Sequence, residues 1–131
     1  MFSRRSRQFP LDIHTKTYYT IIVEDRRIIW DETKSAENKL KHGISFETAR
    51  YVFADPERLW RFDQSKNNTS REDRWQSLGM AEGIVFVVYT EREIEGIIET
   101  RLITARLANK TERRSYNGYY RIDNESWTKA N

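Results

Sequence analysis

Residues 27–56 read RIIWDETKSAENKLKHGISFETARYVFADP, and this segment decides how the rest of the chain is read. RIIW, Arg27–Trp30, is short, β-branched and apolar, as a strand is. Asp31 then suits the N-cap of a helix, and Gly43 suits its left-handed stop. Ser45 caps a second helical stretch, in which Phe46, Ala49, Val52 and Phe53 form a core-facing stripe that ends at Asp55-Pro56. The first helix is the unusual one. From Asp31 to His42 only Ala36 and Leu40 are apolar, while Lys34, Asn38 and Lys41 are spaced to share a polar face. A helix this short gains little from two apolar residues, so something else must hold it.

After Pro56 the period changes from helical to strand-like. ERLWRFD (57–63) is a strand, QSKNNTS (64–70) a polar loop, and REDRWQSLGM (71–80) a second strand. IVFVVYTE (84–91) is a continuous β-branched and aromatic run, the pattern of a central strand, and IIETRLITA (97–105) follows it. A last helix, capped near Asn109 or Thr111, contains TERRSY. The expected fold is therefore α+β: an antiparallel sheet of three to four strands packed with two N-terminal helices and one C-terminal helix. The domain is expected over residues 27–117. Residues 1–26 read as an N-terminal extension, in which TYYTIIVE either forms a strand or packs on the domain, and residues 118–131 as a tail.

The 131 residues suit one domain. No apolar run approaches the roughly 20 residues a membrane helix needs, and the N-terminus has no apolar segment of signal-peptide length. A cytoplasmic protein is expected. With no cysteine and only His14 and His42, disulfides, thiolate metal sites and imidazole metal sites are not expected, nor is any cofactor. The net charge of +3 is unevenly placed. Glu91–Glu99, EREIEGIIE, is acidic, whereas Arg101, Arg106, Lys110, Arg113 and Arg114 follow with only Glu112 against them. A basic patch beside an acidic turn fits a polyanion site on one face, or a solvated charged helix.

Several side chains could carry chemistry. In REDRW, Glu72 and Arg74 are two apart and project from one strand face, either as a base beside a phosphate clamp or as a surface ion pair. Arg106 sits where the last strand gives way to a loop, a good place for a bidentate hold on phosphate. Lys41 and His42 end the first helix, where the helix dipole already accounts for basic side chains. Tyr116 is spaced to share a helix face with Arg113, and half-buried packing is its simplest role.

Taken in order, WDETKSAENKLKHGISFETARYVFADP, REDRW followed by Gly79, VFVVYTER, RLITAR and TERRSY resemble the BrnT family, ribonuclease toxins of type II toxin–antitoxin systems. The resemblance runs from about Ile29 to Tyr116 and implies a RelE-like fold. It further implies metal-independent cleavage of RNA by attack of the ribose 2′-oxygen on the adjacent phosphorus, inhibiting translation. On this sequence it suggests Arg106 and Arg74 as phosphate clamps, Glu72 as base or as the group orienting Arg74, and Lys41 as a further cation. His42 and Tyr116 become candidates for proton transfer, and Lys34, Arg101 and Arg113 for RNA binding. The implied partner is a BrnA-like ribbon-helix-helix antitoxin, through which alone the pair would contact operator DNA. ITAR stands where relatives more often have ISAR, and DQSKNNTSRED lacks the loop histidine common there. Relatives begin only a few residues before the tryptophan–acid pair, so residues 1–26 are extra, and a later start, for example at Val23, is one expectation. A non-catalytic subunit that binds RNA or acts as a corepressor is the competing expectation.

Overall fold

A computed structural model describes residues 8–13, 16–23, 25–65, 72–118 and 126–130, the first two segments by their backbone alone. In chain order the elements are β1 (Gln8–Ile13), β2 (Lys16–Val23), β3 (Arg26–Asp31), α1 (Glu32–His42), α2 (Phe46–Ala49) and a 3-10 turn (Arg50–Ala54). There follow β4 (Leu59–Phe62), β5 (Arg74–Met80), β6 (Ile84–Ile94), β7 (Ile97–Leu107), α3 (Lys110–Asn117) and β8 (Thr128–Lys129). The strands form one sheet in the order β1-β2-β3-β7-β6-β5-β4-β8.

The fold is α+β as expected, with a wider and mixed sheet. β4 to β7 make the anticipated antiparallel meander. β3, however, lies parallel to β7, with Arg26 opposite Ile98 and Ile29 opposite Arg101. The helical segment carries the chain away from β3 and the meander brings it back in the same direction, so this pairing joins elements far apart in sequence. TYYTIIVE lies largely in β2, which pairs with β3, and β1 extends that edge. The FETARYVF stretch is one α-turn tightening into the 3-10 turn rather than a full helix. Of the expected 64–70 loop, residues 66–70 lie outside the described residues, as do 119–125 of the tail.

Alternation along β6 separates two cores. Val85, Val87 and Tyr89 face α2 and the 3-10 turn, joining Ile28, Trp30, Phe46, Ala49 and Val52. Phe86 and Val88 face α3, joining Leu59, Leu78, Ala108 and Trp127. Both faces of β6 are buried, which explains its continuous apolar run. Each fully buried large side chain, such as Phe46 or Leu78, contributes about 1.5–3 kcal/mol. β5 passes so close to the 3-10 turn that a Cβ on Gly79 would lie 2.7 Å from Val52 Cγ1 and 2.9 Å from Val52 O.

Helix α1 is docked by polar side chains. Asp31 caps it, accepting from Thr33 N at 2.8 Å, and Gly43 ends it at φ 79°. Its two apolar residues both face solvent, Leu40 being 88% exposed. The buried stripe is instead Asp31, Ser35 and Asn38. Beyond Arg101, β7 has no β3 residue beside it, and Asn38 takes the missing strand's place. Its Nδ2 donates to Ala105 O at 2.8 Å and to Ile44 O at 2.7 Å, and its Oδ1 accepts from Ala105 N at 3.2 Å. Ser35 Oγ accepts from Phe46 N at 2.8 Å. The helix thus satisfies backbone groups that the end of β3 leaves exposed to the core.

Candidate active site

The site builds outward from Arg106. Asn109 caps α3, accepting from Glu112 N at 2.8 Å, and the Glu112 side chain accepts from Asn109 N at 2.9 Å, closing a capping box. The same carboxylate holds the arginine by two prongs, Nη1 to Oε1 at 2.8 Å and Nη2 to Oε2 at 3.0 Å. The Arg106 guanidinium also lies 4.0 Å from the centre of the Phe86 ring. Burial alone would raise the Glu112 pKa, but hydrogen bonds from Arg106 and the Asn109 backbone outweigh it and hold the carboxyl below its usual range. Arg106 is therefore fixed in place with about a third of its side chain, 36%, exposed.

Tyr116 packs against the same apolar cluster as Phe86. Its hydroxyl donates to Asp55 Oδ2, which also accepts from Met80 N at 2.7 Å. Burial and the Asp55 carboxylate push its pKa well above that of a free tyrosine, so the phenol holds its proton. Arg113 turns back to the start of α3, donating to Ala108 O at 2.7 Å. Lys34, Lys41 and His42 are exposed on α1. Because Asn38 binds Ala105, the last turn of α1, with Lys41 and His42, lies at the Arg106 end of β7.

The remaining expected residues gather at the other end of the same face. Arg74 on β5 and Arg101 on β7 flank Thr90 of β6 in one cross-strand row. Glu72, just before β5, accepts a hydrogen bond from Arg101 Nη2. Strand alternation puts this row on the α3 face with Arg106, because Leu78 of β5 lies in that core and Leu102, the neighbour of Arg101, lies in the other. Thr90 and Phe86, which mark the two rows on β6, are four residues apart, roughly 13 Å. While Arg106 stays on Glu112, the two ends suit different phosphates of a strand better than a single one. Arg61 lies between them, its Nε donating to Gln76 Oε1 at 2.7 Å and its guanidinium 3.9 Å from the Trp127 ring.

Four residues have roles that the sequence analysis did not assign to them. Glu112 was readable, since Asn109-x-x-Glu112 is a capping-box signature. Asn38 and Ser35 share a helix face with Asp31, but polar spacing alone does not say that a face is buried. Asp55 was read only as a helix stop. Among the described residues no three His, Cys, Asp or Glu side chains are grouped to hold a metal ion, and no helix is long and apolar enough to cross a membrane.

No curated protein sequence matches this chain. A family model described as the ribonuclease toxin BrnT of type II toxin–antitoxin systems matches residues 30–112, from the tryptophan at the end of β3 to the glutamate that holds Arg106. That match covers well over half of the chain, and the protein belongs to the BrnT family of ribonuclease toxins.

Proposed function

We propose that this toxin cuts single-stranded RNA without a metal ion, on the α3 face of its sheet, with Arg106 at the scissile phosphate. In the reaction the ribose 2′-oxygen forms a bond to phosphorus and the bond from phosphorus to the 5′-oxygen breaks. The 2′ proton leaves to a base, the 5′-oxygen gains a proton, and the products are a 2′,3′-cyclic phosphate and a 5′-hydroxyl. The observation that carries the reading is the Arg106–Glu112 pair. It fixes a cation at the end of β7, so no reorganisation is needed when charge builds on the phosphoryl oxygens.

Lys41, at the same end of the sheet, adds a second positive charge. His42 beside it is the proton acceptor we assign, because an imidazole nitrogen can take up the 2′ proton. Tyr116, which keeps its proton and donates a hydrogen bond to Asp55, shapes the site rather than transferring protons. Glu72, Arg74 and Arg101 engage the flanking strand, Arg74 and Arg101 binding phosphates and Glu72 orienting Arg101. Lys34 and Arg113 add further backbone contacts.

Neutralisation falls to a BrnA-like ribbon-helix-helix antitoxin, which also brings the pair to operator DNA. Leu40 and Leu107, 88% and 56% exposed at the Arg106 end, offer apolar surface for such a partner to cover. The test is cleavage of single-stranded RNA by purified toxin in EDTA, with analysis of the product ends. Cyclic phosphate and 5′-hydroxyl ends are expected. Loss of cleavage under chelation, or 5′-phosphate ends, would overturn the mechanism, and RNA left intact in every condition would favour a non-catalytic binder.

A further inference from the structure

On the opposite face, beyond the cover of α2, the structure holds a second cationic site that includes none of the residues assigned above. Arg26, Arg58, Trp60, Trp75, Tyr89 and Glu91 line a cleft of about 150 Å³. Arg26 ion-pairs with Glu91 and donates to Thr100 Oγ1 at 2.6 Å, so its charge is balanced. Arg58 is different. Its Nη1 donates to Ser77 Oγ at 2.8 Å and to the Tyr89 hydroxyl at 3.4 Å, and those two hydroxyls bond each other at 2.7 Å. Among the described residues no carboxylate lies within ion-pair distance of it.

Both guanidinium groups lie over the Phe53 ring, 5.0 and 5.2 Å from its centre. Burial lowers the Arg58 pKa, and the Arg26 charge adds to the effect. Burial also raises the Tyr89 pKa, which keeps that hydroxyl neutral. The cleft therefore carries one uncompensated positive charge, a costly arrangement that a single bound anion relieves. Its wall is aromatic: Trp60 meets Trp75 edge-on at 5.7 Å, and Phe62 meets Trp75 at 5.2 Å. One net positive charge beside partly exposed indole surface is the combination that takes one phosphate and one base of a flexible nucleic acid strand.

We infer that this cleft binds one phosphodiester of single-stranded RNA, Arg58 holding the phosphate and the Trp60–Trp75 wall stacking against the adjoining base. The inference rests on the reading that the protein acts on RNA, and adds to it a non-cleaving contact on the face away from Arg106. A phosphodiester carries the one negative charge that the cleft lacks.

The test titrates the toxin with a 2′-O-methylated dinucleotide, which has one phosphodiester and cannot be cut by 2′-oxygen attack. Tryptophan fluorescence is the readout, because Trp30 and Trp127 are buried while Trp60 and Trp75 are only partly so. The dinucleotide should quench the wild type, and Arg58→Met should weaken binding by about tenfold or more. The same variant should lower the slope of log affinity against log salt by roughly 0.7, the loss of one single-strand phosphate contact. Arg58→Lys should keep most of the salt slope and part of the affinity, which separates loss of charge from loss of fold. Wild-type binding by Arg58→Met, no response from the wild type, or equal binding of inorganic phosphate would each overturn the inference. Arg106→Ala distinguishes the two readings: it should slow cleavage by about 10²–10³-fold and leave the tryptophan response in place.

Discussion

Replacing Asn38 by alanine is predicted to loosen helix α1 from the sheet. The substitution leaves three backbone groups without partners, Ala105 N–H, Ala105 C=O and Ile44 C=O. Each buried orphan costs about 1–3 kcal/mol, and water entering the space left by the amide recovers part of that. The expected loss is about 3 kcal/mol, a large share of the 5–15 kcal/mol typical of a domain. Urea unfolding should show a lower midpoint at an unchanged slope, and the Ala105 amide should exchange with solvent faster. Asn38→Asp sharpens the test, because it places a carboxylate oxygen against the same two carbonyls. It should be at least as damaging at neutral pH and recover partly on acidification, when the carboxyl regains a proton to donate. A loss below about 1 kcal/mol with unchanged Ala105 protection would refute the argument that polar docking holds this helix.

Gly79→Ala should destabilise the domain by about 1–3 kcal/mol, measured by thermal or urea unfolding, because its methyl group meets the Val52 backbone. Glu112 has a depressed folded-state pKa, so the stability it contributes is present above the ordinary glutamate range and lost as pH falls through the folded value. Glu112→Gln should therefore flatten that part of an acid unfolding profile and lower cleavage by releasing Arg106. The Glu72–Arg101 pair is about half exposed, 48% and 46%, so Glu72→Gln should change stability by less than about 1 kcal/mol. Arg101→Ala should weaken RNA binding and reduce its salt dependence, read by titration at several salt concentrations.

Local signals in the sequence were legible and long-range ones were not. Asp31, Gly43, Ser45 and Asn109 mark their helix ends because a cap depends on a residue and its next few neighbours. IVFVVYTE announces β6 because a strand buried on both faces needs an unbroken apolar run. The parallel pairing of β3 with β7 leaves no such mark, since it joins Arg26–Ile29 to Ile98–Arg101. Asn38 misled for a related reason: its partners are backbone atoms of Ala105, 67 residues away, so the side chain looks solvated in sequence. In the candidate site, the position of Arg106 at the end of a strand was readable. Its distance from Arg74 was not, because that depends on the registers of β5, β6 and β7 together. The Arg26–Arg58 cleft draws on β3, β4, β5 and β6 and has no local signature at all.

The central claim, that Arg106 neutralises the phosphate undergoing cleavage, is tested most directly by single-turnover cutting of one RNA by wild type, Arg106→Ala and Arg106→Lys. All three should be shown to be folded and to bind RNA. The account predicts that alanine lowers the rate by about 10²–10³-fold, with lysine in between because it keeps the charge but loses the two-pronged hold on Glu112. Cutting by Arg106→Ala at close to the wild-type rate would contradict it.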